Sequence, residues 1–239
     1  MHSNAVIASL SPADTAALRP HLRTIELRQK TILWEAGDSI DAVYFPTRAV
    51  ISLVVGLSTG EMVEAAMVGR DGVVGASSSG DQKTSINRAV VQFGGEALVC
   101  PPEVLKKVLQ QSAALLSAIA SHEHALFAQA QQSTACMAAH DIQSRLSRWL
   151  LRVRDLSGTD SVLVTQEFLA EMLGVRRTSV TVAAFSLQQA GLIKYARGKI
   201  QIINVDGLKD VSCECYEALK LNYGRLTGVG TAPKVRFRT

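Results

Sequence analysis

At Pro101–Pro102 the character of this 239-residue chain changes. Upstream, "TIELRQKTILWEAGDSIDAVYFPTRAVISLVVGLSTGEMVEAAMVGRDGVVG" breaks into short apolar runs between Gly, Asp, Pro, Ser and Thr. Short runs with closely spaced turn residues are strands, and a series of them closes into a sandwich or small barrel. The tract resumes at "INRAVVQFGGEALVCP". There the proline pair ends a strand and opens a helix, because a first helical turn does not need the N–H that proline lacks. From Glu103 to Leu156 the chain contains neither Gly nor Pro. The pattern predicts an α+β protein with an N-terminal β-barrel, preceded by a short helix near "SPADTAALRPHL" and followed by helices.

Within the helical tract, Leu115, Ile119, His122, Leu126, Gln129, Ser133 and Cys136 recur in steps of three and four. Such a seam suits a helix that pairs with a second copy of itself, and it equally suits one packed on its own barrel. Pairing is the expectation. "LSGTDSV" then supplies a linker of turn-forming residues. Three parts follow: a barrel over residues 1–110, a dimerisation helix and hinge over 111–156, and a C-terminal domain over 157–239.

The C-terminal domain carries the sharpest motif, "TQEFLAEMLGVRRTSVTVAAFSLQQAGLIKYARGKIQII". Thr165 is an N-cap type, and Glu167 and Glu171 suit the early turns of a helix. Leu169, Met172 and Leu173 supply its apolar face, and Gly174 suits a left-handed C-terminal turn. A second helix is expected from about Arg177 to Ala190, facing inward through Val180, Ala184 and Leu187. Two short helices joined by a glycine turn make a helix-turn-helix, whose second helix enters the DNA major groove with its N-terminal side chains leading. "LIKYARGKIQIIN" alternates on either side of Arg197–Gly198, as a hairpin does. A basic hairpin there is a wing. The residues expected to meet DNA are Thr165, Arg176, Arg177, Thr178, Ser179, Thr181, Arg197 and Lys199. Arginine can bond guanine O6 and N7 together, whereas hydroxyls bond phosphates or base edges.

Charge supports that placement. Residues 1–139 hold 10 Lys and Arg against 12 Asp and Glu, a net of −2, while residues 140–239 hold 15 against 9, a net of +6. The cationic surface that meets a polyanion therefore belongs to the last hundred residues. No apolar run reaches membrane-spanning length and the N-terminus has no secretory pattern, so a cytoplasmic protein is expected. Of Cys100, Cys136, Cys213 and Cys215, only the last two are neighbours; with no histidine beside C-E-C, reduced structural thiols, no metal and no cofactor are expected. An enzyme is not expected either. None of the five histidines lies in the β tract where a barrel oxygenase would need ligands, and "HEHAL" has leucine where a zinc protease needs its second histidine. "GRDGVVGASSSG" fits no phosphate-loop pattern and reads as barrel turns.

The 165–203 motif resembles the winged helix of the Crp/Fnr family of bacterial transcription regulators, and "HDIQSRLSRWLLRVRD" resembles the end of that family's dimer helix. The β tract is more weakly similar to the family's cyclic-nucleotide-binding jelly-roll barrel. The resemblance implies a homodimer on an inverted-repeat operator in double-stranded DNA, RNA polymerase as a protein partner, and Arg177 as the reader of a guanine in each half-site. Thr178 and Thr181 (or Val182, by register) stand where many members have glutamate and a further polar or basic residue. In the barrel, Gly69, Arg70 and Asp71 stand where nucleotide-binding members have Gly-Glu. Ser85–Ile86 replaces their Arg-Ser or Arg-Thr pair, and Arg88 reaches that place only after a shift of about three residues. These five pocket positions, Gly69, Arg70, Asp71, Ser85 and Arg88, predict an effector other than cyclic AMP or none. The competing function is a ligand-sensing or protein-binding module without specific DNA binding, against which the basic winged helix speaks.

Overall fold

A computed structural model describes residues 4–80 and 83–227, apart from the side chain of Leu226; residues 228–239, assigned above to the C-terminal domain, lie outside them. Two short helices, α1 (Ala5–Ala8) and α2 (Pro12–Leu18), lead into seven strands. These are β1 (Arg23–Leu27), β2 (Ile32–Trp34), β3 (Val43–Pro46), β4 (Val50–Gly56), β5 (Met62–Val68), β6 (Arg88–Phe93) and β7 (Gly95–Cys100). They form two antiparallel sheets ordered β1-β7-β3 and β2-β6-β4-β5. Leu27 and Ala97 of the first sheet meet Trp34, Ile51, Val68 and Val91 of the second in one apolar core. That is the expected barrel.

The glycine-free tract is three helices: α3 (Pro102–Gln111), α4 (Ala113–Ala139) and α5 (Ile142–Ser157). Capping side chains make the breaks. Ser112 accepts from the Leu115 amide and Asp141 from the Ser144 amide, each satisfying an N–H that a new helix start leaves open. The seam assigned to a partner copy turns inward. Leu115, Ile119, His122, Gln129, Ser133 and Cys136 are buried within the chain, and Leu126 packs on the barrel core. The outward face of α4 carries Leu116, Ala120, Phe127, Gln131 and Thr134 instead, with Leu116 at 53% and Phe127 at 62% exposure.

The C-terminal part runs β8 (Ser161–Leu163), α6 (Gln166–Leu173), α7 (Arg177–Gln189), β9 (Ile193–Ala196), β10 (Lys199–Ile202), α8 (Val205–Asp210) and α9 (Cys215–Thr227). Its sheet, β8-β10-β9, shares a core with α5, α6 and α7 that extends onto Val50, Val54, Met67 and Val90 of the barrel. Among the described residues no helix is long and apolar enough to cross a membrane.

Glu64 sits buried on β5 where α5 covers the barrel. Ser52 Oγ lies 2.5 Å from its carboxyl and 2.7 Å from Gln92 Oε1. A hydroxyl owns one proton and cannot donate to both. Either Gln92, whose Nε2 is unpartnered in this orientation, turns its amide to donate to Ser52, or a protonated Glu64 donates to Ser52, which then donates to Gln92. Burial of Glu64 favours the second arrangement. Burial pushes the Glu64 carboxyl up to about 7, against weaker opposing effects of Ser52, Arg148 and Arg152. With the folded value above the unfolded one, this contribution to stability is complete below the unfolded value and disappears as pH rises through about 7. Denaturant titrations from about pH 5 to about pH 9 are expected to show a loss near 3 kcal/mol. Glu64→Gln, which keeps a donor, should flatten that loss; an unchanged pH slope would refute the assignment.

Candidate nucleic-acid interface

Local chemistry builds the interface. The Thr165 hydroxyl accepts from the Phe168 amide at 3.2 Å and starts α6. Gly174 stops it at φ 60°, a left-handed conformation that costs glycine least, and the Val175 amide reaches back to the Ala170 carbonyl at 3.0 Å. Arg145 of α5 donates to the Leu173 carbonyl, fixing the turn to the helix that leaves α4. Val180, Ala184 and Leu187 are buried, which rotates the opposite face of α7 outward.

That outward face begins with the expected residues. Arg176, Arg177, Thr178 and Thr181 are exposed and Ser179 is half-buried. Arg176 occupies the cap position without a side-chain cap bond, so the first-turn amides are not spent on a capping side chain. Helix starts of this kind attract phosphate oxygens. Thr181 is committed in part, its hydroxyl lying 2.8 Å from Gln166 Oε1 and 3.1 Å from the Arg177 carbonyl. Val182 and Phe185, 66% and 59% exposed, continue the same face. Sequence reasoning did not include Phe185; the spacing 178, 182, 185 along one helical face was the available signal.

The wing stands beside this helix. Arg197 at φ 51° and Gly198 at φ 74° make the tight turn between β9 and β10, with both central residues left-handed, as a type I′ hairpin requires. Arg197 and Lys199 are exposed on either side of Gly198. A groove of about 320 Å³ is lined by Thr165, Gln166, Glu167, Arg177, Tyr195 and Gly198, so the start of α7, the cap of α6 and the wing turn open onto one surface.

The five barrel positions do not converge. Gly69 packs against Leu156, and Asp71 is spent on Arg152 of α5 at 2.6 Å. Arg70 and Asp71 share the lining of a cavity with Arg154, Asp155 and Tyr223, on the side of α5 and α9, which neither Ser85 nor Arg88 lines. Arg88 pairs with Glu35 at 2.7 Å and lines another cavity facing α6. Only Ser85 borders the cavity of about 250 Å³ between the barrel and α4, which Trp34, Ile40, Leu53, Val74 and Leu126 make apolar. The charged residue on that lining is Glu123, whose carboxyl is raised by burial.

Cys213 and Cys215, free thiols with no histidine beside them in the sequence, acquire one in the fold. Cys136 and His140, one helical turn apart at the end of α4, come up against them. The signal in the sequence was C-x-x-x-H at i and i+4; what hid it is the long stretch of chain before C-E-C.

Known proteins match this architecture. Residues 144–211 match the Crp-like helix-turn-helix domain. A Crp/Fnr-family regulator from Eubacterium rectale is similar over 85% of this chain and 95% of its own, with a TM-score of 0.66 and 18% identity. The c-di-GMP-responsive regulator CLP of Xanthomonas campestris matches over 80% of this chain and 99% of its own, with a TM-score of 0.65 and 16% identity. FixK2 of Bradyrhizobium japonicum matches over 80% and 98%, with a TM-score of 0.68 and 14% identity. No curated protein sequence matches the chain.

Proposed function

We propose that this chain, whose residues 144–211 are a Crp-like helix-turn-helix domain and whose fold is that of the Crp/Fnr regulators, is a cytoplasmic, sequence-specific DNA-binding transcription regulator. It holds an inverted-repeat operator as a homodimer and acts with RNA polymerase. The observation that carries this reading is the start of α7: an uncapped helix end with Arg176, Arg177 and Thr178 exposed beside a basic wing turn. Arg177 reads guanine, and Val182 is placed to meet a thymine methyl. Arg197 and Lys199 anchor phosphate.

The second copy packs on the outward face of α4. Leu116 and Phe127 are large apolar side chains left exposed three helical turns apart, on the face opposite the buried seam. The effector pocket is retuned away from cyclic AMP. A cyclic phosphate in the cavity beside Ser85 would meet the Glu123 carboxyl and, among the described residues, no cation on the lining, and a buried unpaired anion is costly.

Selection from randomised DNA tests the whole reading. The expected product is an inverted repeat with half-sites about 34–36 Å apart, bound with an affinity that falls steeply with salt. Phe127→Glu should yield monomers that no longer hold it, and calorimetry with cyclic AMP should show no micromolar site. Binding without sequence preference, or an unaltered dimer in Phe127→Glu, would refute the corresponding part.

A further inference from the structure

Three cysteines and a histidine that the DNA-binding reading does not use meet where α4 gives way to α5. Cys136 lies in the last turn of α4, and His140 is the residue after that helix. Cys213 and Cys215 flank Glu214 at the start of α9. All three thiols are buried, and the four ligand atoms lie within 4.8 Å of one another. Cys136 Sγ is 3.5 Å from Cys213 Sγ, and His140 Nδ1 is 3.7 Å from Cys215 Sγ. A tetrahedral zinc ion with bonds of about 2.3 Å to sulfur and 2.0–2.1 Å to nitrogen sets its ligands roughly 3.8 Å apart (S to S) and 3.6 Å apart (S to N). Two edges of the cluster, at 3.5 and 3.7 Å, already have nearly the lengths of such a tetrahedron, and no pair of its ligand atoms is more than 4.8 Å apart. A multi-iron cluster spreads its cysteines farther, because several metal atoms stand between them.

The surroundings suit an ion as well. Glu214 accepts from His140 Nε2 at 3.1 Å, which turns Nδ1 toward the thiols, the carboxylate–histidine arrangement that orients metal-bound imidazoles. Gln132 Nε2 donates to Cys215 Sγ at 3.0 Å. Three thiolates on a divalent ion leave one net negative charge, and Arg145 and Arg148, buried on α5, stand within electrostatic reach of Cys136.

We propose that Cys136, His140, Cys213 and Cys215 bind a single tetrahedral, thiophilic divalent ion of the zinc class, which clips α9 to the hinge between α4 and α5. The ion ties the C-terminal helix to the helix that meets the second copy, so it sets the position of the DNA-binding domain on its dimer support. The site stands whether or not the chain binds DNA.

Full-length protein purified under reducing conditions is expected to carry one zinc per chain by elemental analysis. Stripped protein given Co²⁺ should develop the visible bands of tetrahedral cobalt together with thiolate-to-cobalt charge transfer in the near ultraviolet. Cys213→Ser, which removes one of three thiolates, should weaken the charge-transfer bands and shift the visible ones, whereas Cys100→Ser, outside the cluster, should leave both intact. Glu214→Ala, which keeps every ligand, should weaken cobalt affinity about 10–100-fold. Should Cys213→Ser fail to fold, the wild-type spectrum and Glu214→Ala still decide. Metal-free protein that takes up no cobalt, cobalt bound without thiolate bands, or a Cys136–Cys213 disulfide in place of metal would each overturn the site.

Discussion

Asp71→Ala is expected to destabilise the chain by about 3–5 kcal/mol, because it strands a buried arginine. Arg152 is 7% exposed, and its guanidinium lies 2.6 Å from the Asp71 carboxylate. Its other face lies over the Tyr223 ring at 5.0 Å. Tyr223 in turn places its hydroxyl 3.4 Å from His122 Nδ1, and His122 Nε2 bonds the backbone of Val73. One line of contacts thus joins the barrel loop, α4, α5 and α9. Gly72 permits it, since a Cβ there would stand 2.1 Å from the His122 ring. Deleting one charge is far more costly than deleting both. Arg152→Met added to Asp71→Ala should therefore recover much of the loss. A cycle of denaturant titrations checks this: a single-mutant cost below about 1 kcal/mol, or strict additivity, would show the pair to be dispensable. The same contacts leave the Asp71 charge committed to Arg152 at the edge of the cavity that both residues line.

The parts of the fold legible in the sequence are those fixed by a few adjacent residues. Thr165 caps, Gly174 turns and Arg197–Gly198 closes the wing through backbone geometry that needs no distant partner. The break at Asp141 was local too, yet a helix-breaking side chain inside an apolar-periodic tract is masked by that periodicity. The direction of α4 was not legible at all. Steps of three and four define a buried face without saying whether the chain itself or a second copy buries it, and here Leu115, Ile119 and His122 face the chain's own domains. Long-range convergence was equally hidden. Cys136 and Cys213 touch only because α9 folds back along α4, and Ser85 and Arg88 part company because β6 begins at Arg88 and carries it to Glu35.

Arg177→Ala is expected to cost about 1–3 kcal/mol in each half-site, so about 2–6 kcal/mol on a two-fold operator, or a loss of tens-fold to about ten-thousand-fold in affinity. The side chain leads α7 from an exposed first turn and shares the groove with Thr165 and the wing. A bidentate pair to guanine acts at one base pair, and its removal should relax preference at that position while sparing the others. Lys199, exposed next to the wing turn, supplies the contrast. A phosphate contact carries no sequence information, so Lys199→Ala should weaken all sequences about equally and flatten the salt dependence by about one ion per half-site. Selection on randomised DNA, run with both variants and the parent, separates the two roles whatever the sequence of the operator. If Arg177→Ala retains the full preference of the parent, the arginine pair is only a charged helix end, and recognition must pass to Thr178, Val182 and Phe185 farther along the same face.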